Sequence, residues 1–219
     1  MANIQLPTVP FSAGSPILVT GPTSCGKTVW INHFLSHPMF NEEVTSILYC
    51  YGVHQPFFEE MKKSSTLVAP ISFHEGLPDI DKIDSIADGK FHIIVLDDLM
   101  EDIVRSADML KLFTKYCHHH NISAIFVSQN IFQQGKYSRS ISLNCHIIVL
   151  FSNKRDESQI ATLARQIYPD DWKRFLKAYK MSMNSSYAYL VVDCSPSQKR
   201  EIKVRTNIFP GETTCTFDI

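Results

Sequence analysis

The chain has 219 residues, 44% hydrophobic and 20% charged, with a formal net charge of −1. That length and apolar content suit one globular domain with a real core, and the near-neutral charge excludes whole-chain attraction to nucleic acid, so any DNA contact must come from a local patch. No run approaches 18 apolar residues, and Met1-Ala2-Asn3-Ile4-Gln5 lacks a charged n-region followed by an apolar stretch, so neither a membrane span nor a secretory signal is expected.

Residues 1–14, with Pro7, Pro10 and Gly14, read as an irregular lead-in to a core over 15–185. A buried strand is predicted at 16–20 from the run Ile17-Leu18-Val19-Thr20, and Val29 to Leu35 reads as a helix. Between them Gly21-Pro22-Thr23-Ser24-Cys25-Gly26-Lys27-Thr28 matches the phosphate-loop pattern G-x-x-x-x-G-K-[ST] in full, in the strand–loop–helix setting it requires. Glycines let backbone N–H groups curl around phosphate oxygens, and the helix N-terminus adds partial positive charge. Lys27 is expected to reach the β- and γ-phosphates, and the Thr28 hydroxyl to ligate Mg²⁺. Cys25 reads as a small residue filling the loop, although a helix N-terminus can also lower a thiol pKa.

Further strands are predicted over 46–51, 67–71, 91–96, 122–128 and 145–151, with helical patterns between most of them. Strands alternating with helices imply a mostly parallel sheet covered on both faces. Ile93-Ile94-Val95-Leu96-Asp97-Asp98 is four aliphatic residues followed by two carboxylates, the Walker B form. A buried strand would deliver Asp97 to Mg²⁺ at its C-terminal end, where ligands bind in open parallel sheets. Asp98 would act as general base toward the attacking water. Strand candidates lie between the two motifs in the chain, and an intervening strand is expected of RecA-like ATPases of the additional-strand type.

The helical face in the next segment is read as Ile103, Ala107, Leu110, Phe113 and Cys117. His118-His119-His120 follows, but consecutive helical positions diverge and cannot converge on one ion. The strand Ala124-Ile125-Phe126-Val127-Ser128 ends at Gln129, whose amide could bond the γ-phosphate or the water; a simple turn leaving the sheet is the alternative. The polar segment 131–143 reads as a functional loop carrying Lys136 and Arg139 as candidate DNA contacts.

Asn153-Lys154-Arg155-Asp156 follows a strand, as the guanine-reading motif of GTPases does, yet neither Asp97 nor Asp98 is followed three places on by the glycine a GTPase needs. Two amphipathic helices are predicted, one from Ile160, Leu163, Ala164 and Ile167, the other from Trp172, Phe175, Leu176 and Tyr179. Lys173, Arg174, Lys177 and Lys180 form a basic stripe, and Lys199, Arg200, Lys203 and Arg205 a second cluster, each read first as a solvated face. After residue 185 strands over Tyr187 to Val192 and Ile202 to Phe209 form a C-terminal extension, 186–219, of the same domain. The six cysteines show no C-x-x-C pair and read mostly as buried thiols of a reducing compartment.

Several segments resemble the packaging ATPases of the FtsK/HerA superfamily, and most closely the poxvirus-type packaging ATPases of Polinton/Maverick elements and adintoviruses. They include Leu48-Tyr49-Cys50-Tyr51-Gly52 with Gln55, Glu75-Gly76-Leu77-Pro78, and Val95-Leu96-Asp97-Asp98-Leu99. More particular are the run Ser128 to Lys136, Arg139 to Asn144, Lys154-Arg155-Asp156, and Arg205 to Glu212. The resemblance implies a homo-oligomeric ring, a pentamer or hexamer, that hydrolyses ATP with Mg²⁺ to drive double-stranded DNA into a preformed capsid. It implies Gln129 as the polar sensor and an arginine acting across a subunit interface, Arg139 or Arg155, with Arg139 favoured. Capsid or portal-vertex proteins are the implied partners, and the implied location is the host nucleus or a viral factory. Two other readings stay open: a GTP- or ATP-dependent switch acting through a protein partner, and a transposition-accessory translocase of the same fold.

Overall fold

The computed structural model describes residues 9–85, 88–195 and 203–219. The elements run β1 (Ile17–Thr20), α1 (Lys27–Leu35), β2 (Val44–Tyr51), α2 (Phe57–Lys63), β3 (Ile71–Glu75), α3 (Ile80–Ser85), β4 (Phe91–Asp97), α4 (Met100–Ile103) and α5 (Ala107–Lys111). A π-helical stretch (Leu112–Tyr116) joins α5 to α6 (Cys117–His119). Then come β5 (Ile122–Ser128), α7 (Ser138–Leu143), β6 (Ile147–Phe151), α8 (Glu157–Ile167), α9 (Trp172–Ser182), β7 (Tyr189–Asp193), β8 (Val204–Thr206) and β9 (Cys215–Thr216).

One nine-stranded sheet takes the order β3-β2-β4-β5-β1-β6-β7-β8-β9. The first six strands are parallel and the last three antiparallel. The four central strands β1, β4, β5 and β6 are buried along their whole length, as apolar runs covered on both faces must be. On one face Ile17, Val19, Tyr49, Val95, Val127 and Val149 pack with Ile31, Phe34, Phe58 and Met61 of α1 and α2. On the other, Leu18, Leu96, Phe126 and Leu150 pack with Phe113, Leu163, Phe175 and Tyr179. Successive strand residues therefore alternate between two cores.

The strand separating β1 from β4 in the sheet is β5. The additional-strand arrangement holds, but β2 and β3 lie beyond β4 rather than between the two motif strands. The strand expected at 67–71 is displaced to Ile71–Glu75. Val68 N donates to Leu35 O at 2.9 Å, which pins the apolar run against the end of α1, and Pro70 brings no N–H to a ladder. The helical face expected through Ala107 is also corrected. Ser106 Oγ accepts from Met109 N and restarts the helix, so Ala107 is exposed and Met109, Leu112, Phe113, Tyr116 and Cys117 are buried.

At the C-terminal end, the Arg205 expected on a basic surface is 1% exposed. Its guanidinium lies 3.5 Å from the buried Asp193 carboxylate and 4.8 Å from the Phe11 ring centroid, joining β8, β7 and the lead-in. Lys199, Arg200 and the start of the strand expected from Ile202 lie outside the described residues. Lys173, Arg174, Lys177 and Lys180 are exposed on α9, with Arg174 bonded to Asp171 and Lys180 to Glu157. Among the described residues no helix is long and apolar enough to cross a membrane.

Candidate active site

A cleft of about 1280 Å³ opens at the C-terminal ends of β1, β4 and β5. Thr23, Ser24, Gly26, Lys27, Thr28, Asp97, Asp98 and Gln129 all line it. The loop after β1 is tied to β5 by Gly21 N donating to Ser128 O at 3.2 Å. Ser24 (φ 63°) and Gly26 (φ 102°) take left-handed backbone, which curls the loop before Gly26 caps α1. Lys27 Nζ donates to Gly21 O at 2.6 Å and Pro22 O at 2.9 Å, so the ammonium sits inside the curl. The free N–H groups at the start of α1 and this ammonium make an anion site. Cys25 is half-buried, and burial raises its thiol pKa against the pull of Lys27.

Asp97 closes β4 and is 6% exposed. Burial raises its pKa; a hydrogen bond from Tyr49 opposes that, Asp98 adds to it, and Lys27 opposes it. Tyr49 OH donates to Asp97 Oδ2 at 2.7 Å. Register explains the pairing: Tyr49 sits opposite Val95 and Tyr51 opposite Asp97, so the phenol reaches diagonally along one face. Burial and the neighbouring Asp97 hold the Tyr49 pKa well above its ordinary value, so it stays a donor. A buried carboxylate and a half-buried Thr28 hydroxyl on one cleft are hard-oxygen donors that suit Mg²⁺, and an ion there would offset the cost of burying the charge.

Asp98 is exposed and takes φ 56°. Gly52, just past β2, fixes this turn: its N–H donates to Asp97 O at 3.0 Å, and a Cβ on it would stand 2.2 Å from Asp98 O. Only glycine allows that approach. Gln129 is exposed on the same cleft. Ser128 Oγ accepts from Asn130 N at 3.0 Å and also binds Gln133 Nε2, which turns the chain sharply after β5. Gln159 of α8 accepts from Ile131 N at 3.0 Å and donates to Asp156 at 2.6 Å, bracing the same turn from the start of α8.

Lys136, Arg139 and Arg155 are exposed and do not line the cleft. The Lys136 ammonium lies 4.9 Å from the Tyr137 ring centroid, and Arg139 sits in the first turn of α7. Their loop is anchored to the end of α4, where Tyr137 N donates to Val104 O at 2.9 Å. The guanine-like segment is used locally. Asp156 caps α8, accepting from Gln159 N at 3.3 Å, Gln159 Nε2 and Ser158 Oγ, while Asn153 Oδ1 accepts from Arg155 N. Neither Asn153 nor Asp156 lines the cleft.

Tyr49, Gly52, Gln159 and the C-terminal residues Tyr187, Phe209 and Glu212 of the cleft wall were not legible as site residues. Tyr49 looks like a core aromatic in an apolar run, and only strand register puts it on Asp97. The Tyr49–Gly52 and Arg205–Glu212 segments do fall within the family resemblance, which was the available signal.

No family model and no curated protein matches the chain. Solved structures do. The crystal structure of B204, the DNA-packaging ATPase from Sulfolobus turreted icosahedral virus, superposes with a TM-score of 0.59 at 9% identity, over 90% of this chain and 98% of that one. The genome-packaging NTPase B204 from Sulfolobus turreted icosahedral virus 2 in complex with ATP-gammaS gives 0.52 at 11% identity, over 88% and 95%. EssC ATPases 2 and 3 from Geobacillus thermodenitrificans give 0.50 at 10% identity, over 93% of this chain and 39% of that one. At such identities the likeness shows the fold: an α/β P-loop NTPase fold with a large, mostly parallel sheet flanked by helices and antiparallel C-terminal strands.

Proposed function

We propose that this chain is an ATP-hydrolysing motor of the FtsK/HerA superfamily, of the poxvirus type, that drives double-stranded viral DNA into a preformed capsid. The observation that carries the proposal is the meeting of Lys27, Thr28, Asp97, Asp98 and Gln129 on one cleft. The likeness in fold to B204, over 82–90% of this chain, supports it, since B204 is a genome-packaging NTPase.

Each residue then has a task. The free N–H groups of the loop from Thr23 to Thr28 and the Lys27 ammonium hold the β- and γ-phosphates. Thr28 and Asp97 hold Mg²⁺, which when bound neutralises charge building on the phosphate oxygens. Asp98 accepts the proton of the attacking water; its short side chain needs that water close, and the Gly52 contact fixes where the carboxylate starts. Gln129 donates to the γ-phosphate or the water. Arg139 of one protomer, or Arg155, completes the site of the next in a pentameric or hexameric ring, and such an arginine raises turnover by ~10³–10⁵. Lys136, with Arg139, meets the DNA backbone. The remaining partners are capsid or portal-vertex proteins, and the motor works inside the host cell, in the nucleus or a viral factory, associated with capsids during packaging.

The test is steady-state ATP hydrolysis with and without long duplex DNA, with Lys27→Ala as blank. DNA-stimulated turnover that vanishes in the variant is expected. Slow turnover indifferent to DNA, with tighter binding of GTP, would overturn the motor reading in favour of a switch.

A further inference from the structure

The cleft is longer than a triphosphate needs. Lys27, Trp30 and His33 stand at i, i+3 and i+6 on α1 and all line it, so the cleft follows one face of the helix for about 9 Å beyond the phosphate loop. That is the reach of a nucleoside past its phosphates. Tyr187, Tyr189, Phe209 and Glu212 from the C-terminal segment also line it, with Phe209 beside His33.

Tyr187 stands apart from the other aromatics here. It is 71% exposed, and it holds φ 61°, a conformation a bulky side chain seldom adopts. Residues held this way cluster at ligand clamps. The ring lies on the phosphate loop: a Cβ on Gly26 would come within 2.9 Å of Tyr187 Cδ1. Val29, 70% exposed, stands one helical turn after Gly26 and also lines the cleft. Two large apolar side chains are thus presented to one opening directly beyond the loop.

The wall behind them is braced. Tyr189 OH accepts from Ile208 N at 3.0 Å, Phe209 N donates to Glu212 Oε2 at 3.1 Å, and Glu212 N donates to Phe209 O at 3.0 Å. The His33 ring lies 4.1 Å from that of Phe209, and Trp30 packs between Phe209 and Tyr189. A rigid aromatic wall beside a raised tyrosine is a slot for a flat, apolar-faced ligand.

We infer that Tyr187 is the stacking platform for the base of the bound nucleotide, with Val29 and the His33–Phe209 wall closing the slot. The inference rests on the reading that Gly21 to Thr28 hold the triphosphate. A ring face grips any base face, so this platform binds adenine and guanine nucleotides alike. Asp156, the residue that would have read guanine, is engaged in capping α8.

The experiment is equilibrium binding of ATP, GTP and inorganic tripolyphosphate to the full chain, followed by calorimetry. The variants are Tyr187→Asn, which tolerates positive φ but has no ring, and Tyr187→Phe, which keeps the ring. Stacking on an aromatic accounts for about 5- to 160-fold in affinity per base. Tyr187→Asn is expected to weaken ATP and GTP by that factor and to leave tripolyphosphate unchanged, with Tyr187→Phe restoring both nucleotides. Equal weakening of tripolyphosphate would make Tyr187 a prop for Gly26 and overturn the inference, as would loss for one nucleotide alone or for neither. Failure of the phosphate reading is separate: there tripolyphosphate would not bind wild type, or would bind Lys27→Ala equally well.

Discussion

Replacing Tyr49 by Phe removes one oxygen from the site and leaves the packing in place. The ring packs tilted against Phe58 and Phe73 with centroids 5.1 and 5.4 Å away, contacts that Phe keeps. What is lost is the donor, 2.7 Å from Asp97 Oδ2, to a carboxylate that is 6% exposed. A hydrogen bond to a charged group contributes about 1.5–3 kcal/mol net. Partners that orient a metal-ligating residue are worth about 10–100-fold in metal affinity or activity. Tyr49→Phe should therefore raise the Mg²⁺ concentration for half-maximal ATP hydrolysis by about that factor.

The same change carries a pH signature. Burial raises the Asp97 pKa above its unfolded value. Ionising it therefore opposes folding, an effect absent below the ordinary carboxylate range and growing as pH rises through the folded pKa. Removing the Tyr49 donor, which holds that pKa down, should cost more stability near neutrality than in acid. Urea unfolding without Mg²⁺ at several pH values reads this out. An unchanged Mg²⁺ requirement together with a pH-independent stability loss would refute the reasoning.

Gly52→Ala places a Cβ 2.2 Å from Asp98 O, so the turn carrying the proposed base must move. Displacements near 1 Å cost about 10²-fold in rate, so kcat should fall by that order while ATP affinity changes little, as stopped-flow and binding assays would show. Asp193→Asn removes a buried carboxylate 3.5 Å from the Arg205 guanidinium and should lower the thermal midpoint, and pairing Asp193→Leu with Arg205→Met should recover most of the loss. Arg139→Ala should keep ATP binding and lose turnover. Mixing it with Lys27→Ala protomers should restore partial activity if the arginine works across the interface, and mixtures as inert as their parts would assign Arg139 elsewhere.

The central strands were legible because they are apolar along their whole length, and the phosphate loop because eight consecutive residues carry its chemistry. Elements whose identity depends on neighbours were not. β3 is an edge strand whose Ile71 and Phe73 alternate with exposed Ser72 and His74, a weaker signal than the apolar Leu67-Val68-Ala69 run beside it. Arg205 reads as a surface charge until Asp193 and Phe11 close over it. Gly52 and Tyr49 acquire their parts only when β2 lies in register with β4. The aromatic end of the cleft joins residues 30–33 to residues 187–212, a juxtaposition that local pattern does not contain.

Movement along DNA is the central claim, and displacement of a third strand from a duplex measures it directly. A labelled triplex-forming oligonucleotide would be placed at one end of a long duplex and its release followed with protein and ATP. Release that requires hydrolysable ATP, scales with duplex length and disappears in Lys27→Ala is expected of a translocating motor. An ATPase that turns over in the presence of the duplex yet never displaces the third strand would contradict the account.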